Sequence, residues 1–260
     1  MSGLAWFFAP EARFMLDRSG GFEALGPAHL CVIAVCAIAA VLLVRRYIKL
    51  PQGLEWGSPR RRQLLAMSLI PPILLATRAA TLIHAGLFWP LFWPLHICNL
   101  CEYLCLVFAL CPNGRFGRGL GNLIFCWGVV GGVGAVLFPG WSWYCPLFCW
   151  ASLCGFAGHA LMLAFAFCLV VGKDVTLSAR WVWLPALAGV VGAALFRVLN
   201  PLLGTNFFFV TDPASAGPPF AWGLATFGDP GFLGAYLVIV LAIWLALYAV
   251  AWLVGHGRSR

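Results

Sequence analysis

Charged side chains are scarce in this sequence: only 9% of the 260 residues are Asp, Glu, Lys or Arg, and Asp and Glu together number 8. A soluble globular chain is about a quarter charged, so this scarcity excludes an ordinary soluble domain. No Gly-x-x-x-x-Gly-Lys loop, Gly-x-Ser-x-Gly elbow or His-Glu-x-x-His helix occurs, which removes the usual phosphate-cradling, serine-hydrolase and zinc-peptidase signatures. No internal repeat is visible, so an inverted-repeat transporter has no support. The one Cys-x-x-Cys, at Cys98 and Cys101, has no second pair at suitable spacing. A structural zinc site needs four ligands, and neither a metal nor a cofactor is expected.

What the sequence has is apolar surface. It is 63% hydrophobic, with 21 Phe and 13 Trp, and its mean hydropathy is +0.95. Seven runs are long enough to cross a bilayer, at about 28–46, 64–86, 92–111, 119–138, 146–171, 181–200 and 231–254. The expected fold is all-α, a polytopic bundle of about seven transmembrane helices. Residues 1–27 form an N-terminal interfacial segment, 28–254 the transmembrane domain and 255–260 a basic tail. The first apolar run is short, lacks a basic flank and is interrupted by acids, so it does not read as a cleavable signal. Glycine runs at "GVVGGVGAVLF" and "GVVGAALF" read as helix–helix packing surfaces.

The net charge of +8 does not indicate nucleic acid, because the basic residues gather in short loops between apolar runs. Arg45, Arg46, Lys49 and Arg60–Arg62 occupy the first loop, Arg115 and Arg118 the third, and Lys173 and Arg180 the fifth, with Arg258 and Arg260 in the tail. The second, fourth and sixth loops carry no Lys or Arg. That alternation predicts a cytoplasmic C-terminus and an outer N-terminus, despite Arg13 and Arg18 on the outer side. Most of the 11 cysteines lie inside apolar runs, where Cys behaves as a small hydrophobe and says little about redox compartment.

Ionisable groups inside spans are costly and usually face a cavity or the bundle interior. Here they are Arg78, His96, Glu102, His159 and Arg197. Helical rise places Glu102 roughly 15 Å and His159 roughly 20 Å below the outer edge, so one outward-opening polar cavity is expected. Each residue also has a structural alternative. A lone His bonds a carbonyl, Arg78 and Glu102 pair across two spans, and Arg197 snorkels to a headgroup or binds a lipid phosphate. Ala157 and Gly158 beside His159 would admit a neighbouring helix or a ligand. On the third span Asn99 and Glu102 share one face while Cys98, Cys101 and Cys105 form another.

Three segments, "WPLHICNLCEYL" (93–104), "GFAGHALML" (155–163) and "NPLLGTNFFFV" (200–210), resemble the bacterial YwaF-like family of integral membrane proteins. That family is distantly similar to a eukaryotic transmembrane acyltransferase of ether-linked phospholipids, and more loosely to androgen-induced membrane hydrolases. The resemblance implies a threonine or cysteine nucleophile early in one span and a histidine in a later one, with His159 at the histidine position. It also draws attention to Asn200 and Asn206. In the acyltransferase a Pro-Cys-His step carries the nucleophile; here the step is Pro94-Leu95-His96, and Leu95 cannot attack. Cys98 is the nearest thiol and fits the bacterial pattern.

Three functions follow. The first is a lipid acyltransferase or lipid-ester hydrolase in which Cys98 is acylated and His159 moves the proton. There Asn99 or Asn206 would steady the oxyanion, and Glu102 would orient His96 or His159. The second is a non-catalytic lipid- or ligand-binding protein using Arg78 and Arg197. The third is quinone-coupled thiol oxidation at Cys98 and Cys101, served by Cys145 and Cys149. Expected partners are membrane lipids, with neither nucleic acid nor a soluble protein, in a bacterial cytoplasmic membrane.

Overall fold

A computed structural model describes residues 6–9, 14, 21–86, 94–140, 142, 144–229 and 231–257, with the side chains of 251–257 outside that description. Most of the expected interfacial segment, residues 87–93 before and at the start of the third expected span, and the end of the basic tail lie outside the described residues. The described chain is all-helical. Its helices are α1 (Pro27–Ile48), α2 (Pro59–His84), α3 (Ile97–Leu110), α4 (Gly114–Leu137), α5 (Trp150–Val171), α6 (Trp183–Leu203), α7 (Pro218–Phe227) and α8 (Gly231–Gly257). Six described helical segments are long and apolar enough to cross a membrane.

The third expected span is the exception. Its helix has 14 residues, about 21 Å at 1.5 Å per residue, against about 30 Å of hydrocarbon. Pro94 and Leu95 are not helical, and His96 stands at the N-cap. Because α3 starts at Ile97 and α5 at Trp150, Glu102 and His159 lie only about 8 Å and about 14 Å along their helices. Conversely, α4 begins at Gly114, inside the stretch expected to be a loop.

Helix α5 is apolar all round, and α1, α2, α3 and α4 all pack against it. A helix without a polar face belongs in a core, and α5 is largely buried while α1 and α8 turn most of their surface outward. The glycine run of α4 meets α5: a Cβ at Gly128 would stand 3.2 Å from Ala166 Cβ, and one at Gly132 would stand 3.3 Å from the His159 carbonyl. The run in α6 differs from expectation. Gly189 meets nothing within 4 Å, and Gly192 lies under the Phe208 ring of the following loop.

One end of the bundle collects the basic residues, and two of them are buried. Arg60 Nη1 donates to the Gly172 carbonyl at 2.7 Å and to Asp174 Oδ2 at 2.9 Å, and Nε donates to the Leu50 carbonyl. Tyr47 also donates to Asp174 Oδ2, at 2.8 Å. Arg61 donates to the carbonyls of Leu54, Ala109 and Leu110. Charges that the sequence offers as orientation signals thus also close the ends of α1, α3 and α5, whose last carbonyls lack intrahelical donors. Burial pushes the Asp174 carboxyl above its ordinary range, outweighing the Tyr47 and Arg60 contacts that pull it down. A carboxyl raised in the fold contributes most stability below the unfolded value and loses that contribution as pH rises through the folded one.

Other buried polar groups act as ties. Asn122 Nδ2 donates to the Arg118 and Thr176 carbonyls, while Oδ1 accepts from Ser178 N and Tyr248 OH. His29, fully buried, accepts from Leu25 N at Nδ1, so Nε2 is the donor to the Val136 carbonyl at 2.9 Å. It fastens the start of α1 to the end of α4.

Candidate functional site

Three helices each turn one face toward a small cavity. Pro71, Leu74, Leu75 and Arg78 come from α2, Asn99 and Glu102 from α3, and Cys154, Gly155, Gly158 and His159 from α5. Their spacings of three, four and seven residues are those of single helix faces. Pro71 and Pro72 lie inside α2; lacking N–H groups, they leave the carbonyls of Met67 and Ser68 without the usual intrahelical donor. The cavity lies in the half of the bundle opposite the basic end, beside the first two turns of α3 and the second and third turns of α5.

Glu102 is 6% exposed, and Asn99 Nδ2 faces its Oε2 at 3.4 Å. Its carboxylate reaches the α5 backbone because residue 158 has no side chain: a Cβ there would stand 2.6 Å from Glu102 Oε1. The missing side chain admits a carboxylate from α3 rather than a ligand. His159 Nδ1 lies 2.7 Å from the Gly155 carbonyl one turn back. A carbonyl only accepts, so Nδ1 carries the proton and neutral His159 keeps its lone pair on Nε2. A Gly158→Ala variant is expected to fold and to lose Glu102 from its seat. Infrared difference spectra of isotope-edited glutamate would report a shifted Glu102 carboxyl band, and an unchanged band would oppose this packing.

Arg78 shares the cavity wall with Glu102 without a direct ion pair between them. Among the described residues the ion pairs are Arg60–Asp174 and Arg197–Asp229. Cys98 is one residue before Asn99, a rotation of about 100° on a helix, and it faces α4. Its Sγ lies 3.4 Å from where a Cβ on Gly131 would stand. No hydrogen bond joins Cys98 to His159 among the described residues, and Cys98 is not part of the cavity wall.

The sequence pattern of the TMEM164 family, a family of transmembrane proteins, matches residues 24–250. The chain belongs to the TMEM164 family. No curated protein and no solved structure matches it. Family membership and the apolar helices together make it an integral membrane protein.

The remaining expected site residues of this TMEM164-family chain lie outside the cavity. Leu95 packs with Ala193, Phe196, Phe207 and Val210. The His96 ring lies 5.2 Å from Phe207 and 4.9 Å from Phe209, and its Nδ1 is buried without a hydrogen-bond partner among the described residues. Asn200 is saturated by the loop after α6: Nδ2 donates to the Phe207 carbonyl and Thr211 Oγ1, and Oδ1 accepts from Thr205 Oγ1 and Phe207 N. Asn206 is used in the same way by Asp212, Thr211 and Ser215. Arg197 donates to the Val210 carbonyl and to Asp229 Oδ2. Together these residues hold Phe208 and Phe209 at φ of 60° and 54°, a left-handed conformation costly for aromatics. They order the loop that covers the start of α3.

Sequence reasoning passed over Cys154, Gly155 and the proline face of α2 as cavity walls. The Pro71-Pro72 pair inside an apolar run was the available signal. All 11 cysteines are among the described residues, and none of them forms a disulfide. Cys101 Sγ faces the Ile124 carbonyl, and Cys149 Sγ lies 3.5 Å from Ser152 Oγ.

Proposed function

We propose that this TMEM164-family chain is an intramembrane enzyme of lipid-ester chemistry, an acyltransferase or ester hydrolase, with His159 as its base. The observation that carries the proposal is the convergence of Arg78, Asn99, Glu102 and His159 on one cavity. His159 Nε2 takes the proton of a water or lipid hydroxyl, and the freed oxygen attacks the ester carbonyl. Arg78 and Asn99 donate to the oxyanion, and Glu102 offsets the charge of the imidazolium. Collapse expels the alcohol oxygen, which recovers the proton from His159, so the site ends as it began. The cavity holds about 30 Å³ for water centres, enough for about two waters. A reacting ester group fits after side-chain adjustment, and its acyl chains lie outside, along the apolar helix faces.

The likeness to YwaF-like proteins, and through them to the ether-phospholipid acyltransferase and the androgen-induced hydrolases, supports an ester substrate and the His159 role. It also supports a bacterial cytoplasmic membrane as the location, with the cavity half turned outward. Leu95 and the orientation of Cys98 favour direct transfer over a thioester.

The test is purified protein in vesicles of phosphatidylethanolamine and lyso-phosphatidylethanolamine with different acyl chains, followed by mass spectrometry. Wild type and Cys98→Ala are expected to release or redistribute acyl chains equally. Loss of turnover in Cys98→Ala overturns direct transfer, and absence of turnover in wild type leaves the second reading, a lipid-binding protein. The signature of that reading is lipid that co-purifies unchanged.

A further inference from the structure

We propose that the basic end of the bundle carries a binding site for a phosphate-bearing anion, built from Arg115, Arg118 and Arg180 around Trp181. These residues and Trp183 line a cleft of about 280 Å³, close to the lower end of the range of about 300–1,000 Å³ for small-ligand pockets. The first two turns of α4 supply Arg115 and Arg118 from one face. The 3-10 turn Ala179–Trp181, just before α6, supplies Arg180 and the ring.

Trp181 is the floor of the cleft. Its ring lies on the backbone of α4 at Gly119, where a Cβ would stand 2.9 Å from Cζ3. The guanidinium carbons of Arg115 and Arg180 lie 6.0 Å and 5.8 Å from the ring centroid, at the outer limit of cation–π attraction. The indole therefore gathers two guanidinium groups beside a third without neutralising any of them.

The uncompensated charge distinguishes this cluster from its neighbours. Arg60 and Arg61 at the same end are buried, and carbonyls and Asp174 take up their donors. No carboxylate lines the cleft, and Arg115, Arg118 and Arg180 form no ion pair among the described residues. Helix α4 opens here with no acidic residue in its first turn and no side-chain cap, so its N-terminal amides add to the positive potential.

Guanidinium forks match phosphate oxygens in pairs, and the exposed Trp183 belongs at a membrane–water boundary. The ligand is either the headgroup of an anionic phospholipid or a soluble phosphate; the two present the same oxygens.

The experiment compares wild type with a triple Arg115→Gln, Arg118→Gln, Arg180→Gln variant, after circular dichroism shows equal helicity. In one arm, both are reconstituted in nanodiscs of phosphatidylglycerol and phosphatidylcholine, extracted, and weighed by native mass spectrometry. In the other, unfolding in detergent is followed with and without inorganic phosphate. The triple variant is expected to retain about tenfold less phosphatidylglycerol, or more of a loss, than wild type. Selective retention of phosphatidylglycerol identifies the lipid as the source. A phosphate-dependent rise in the wild-type midpoint, missing in the variant, identifies a soluble phosphate. Equal behaviour of the two proteins in both arms overturns the site.

Discussion

His159→Ala is expected to reduce lipid-ester turnover by about 10²–10⁴-fold, the usual contribution of a positioned general base. The substitution removes the only imidazole that lines the cavity among the described residues, together with its contact to the Gly155 carbonyl. Glu102 stays on Gly158, because that contact belongs to the α5 backbone rather than to the imidazole. Turnover per folded molecule, measured in the mixed-acyl vesicle assay, is the readout. A variant that unfolds at the wild-type temperature and turns over lipid at the wild-type rate removes His159 from the chemistry. His96 serves as the internal comparison: its ring packs with Phe207 and Phe209 outside the cavity, so His96→Phe is expected to preserve turnover.

Arg60→Ala is expected to cost about 3–5 kcal/mol of stability, the usual effect of breaking a buried ion pair from one side. Arg60 is 3% exposed, and the Asp174 side chain is 8% exposed. Removing the guanidinium strands the Gly172 carbonyl and leaves Asp174 with Tyr47 alone. The measurement is the unfolding midpoint in detergent, with Arg62→Ala as control because Arg62 is exposed. Equal midpoints for the two variants would mean that the Arg60 network contributes nothing to holding α1, α2 and α5 together.

Much of the architecture was legible in the residue order because lipid leaves so little choice. Backbone amides in hydrocarbon must bond within their own segment, so each long apolar run had to be a helix, and α1, α2, α4, α5, α6 and α8 follow the runs closely. The exceptions have local causes. Pro94 and the residues around it delay α3 to Ile97 and leave it too short to cross alone. The stretch "CPNGRFGRG" read as a loop, yet α4 begins at Gly114 within it, and its Gly119 must receive the Trp181 ring. That demand comes from distant residues and cannot be seen in the local pattern.

The candidate site was legible in its membership more than in its pairing. Arg78, Asn99, Glu102 and His159 stood out as polar groups in apolar runs, and the fold gathers all four. His96, Arg197, Asn200 and Asn206 looked equivalent, but their partners are the loop after α6 and its aromatic cluster. Cys98 and Asn99 differ by one position and about 100° of rotation, and the choice of which meets α5 depends on how α3 rolls between α2, α4 and α5. Apolar length and the placement of arginines follow from transfer free energy, a property of each segment alone, so residue order was enough to define a helical membrane protein with its basic residues gathered at one end. Which polar groups share a cavity depends on helix rotation and close approach, as where Gly158 lets the Glu102 carboxylate rest on α5. Those are set by packing between segments and exist only once the bundle has formed.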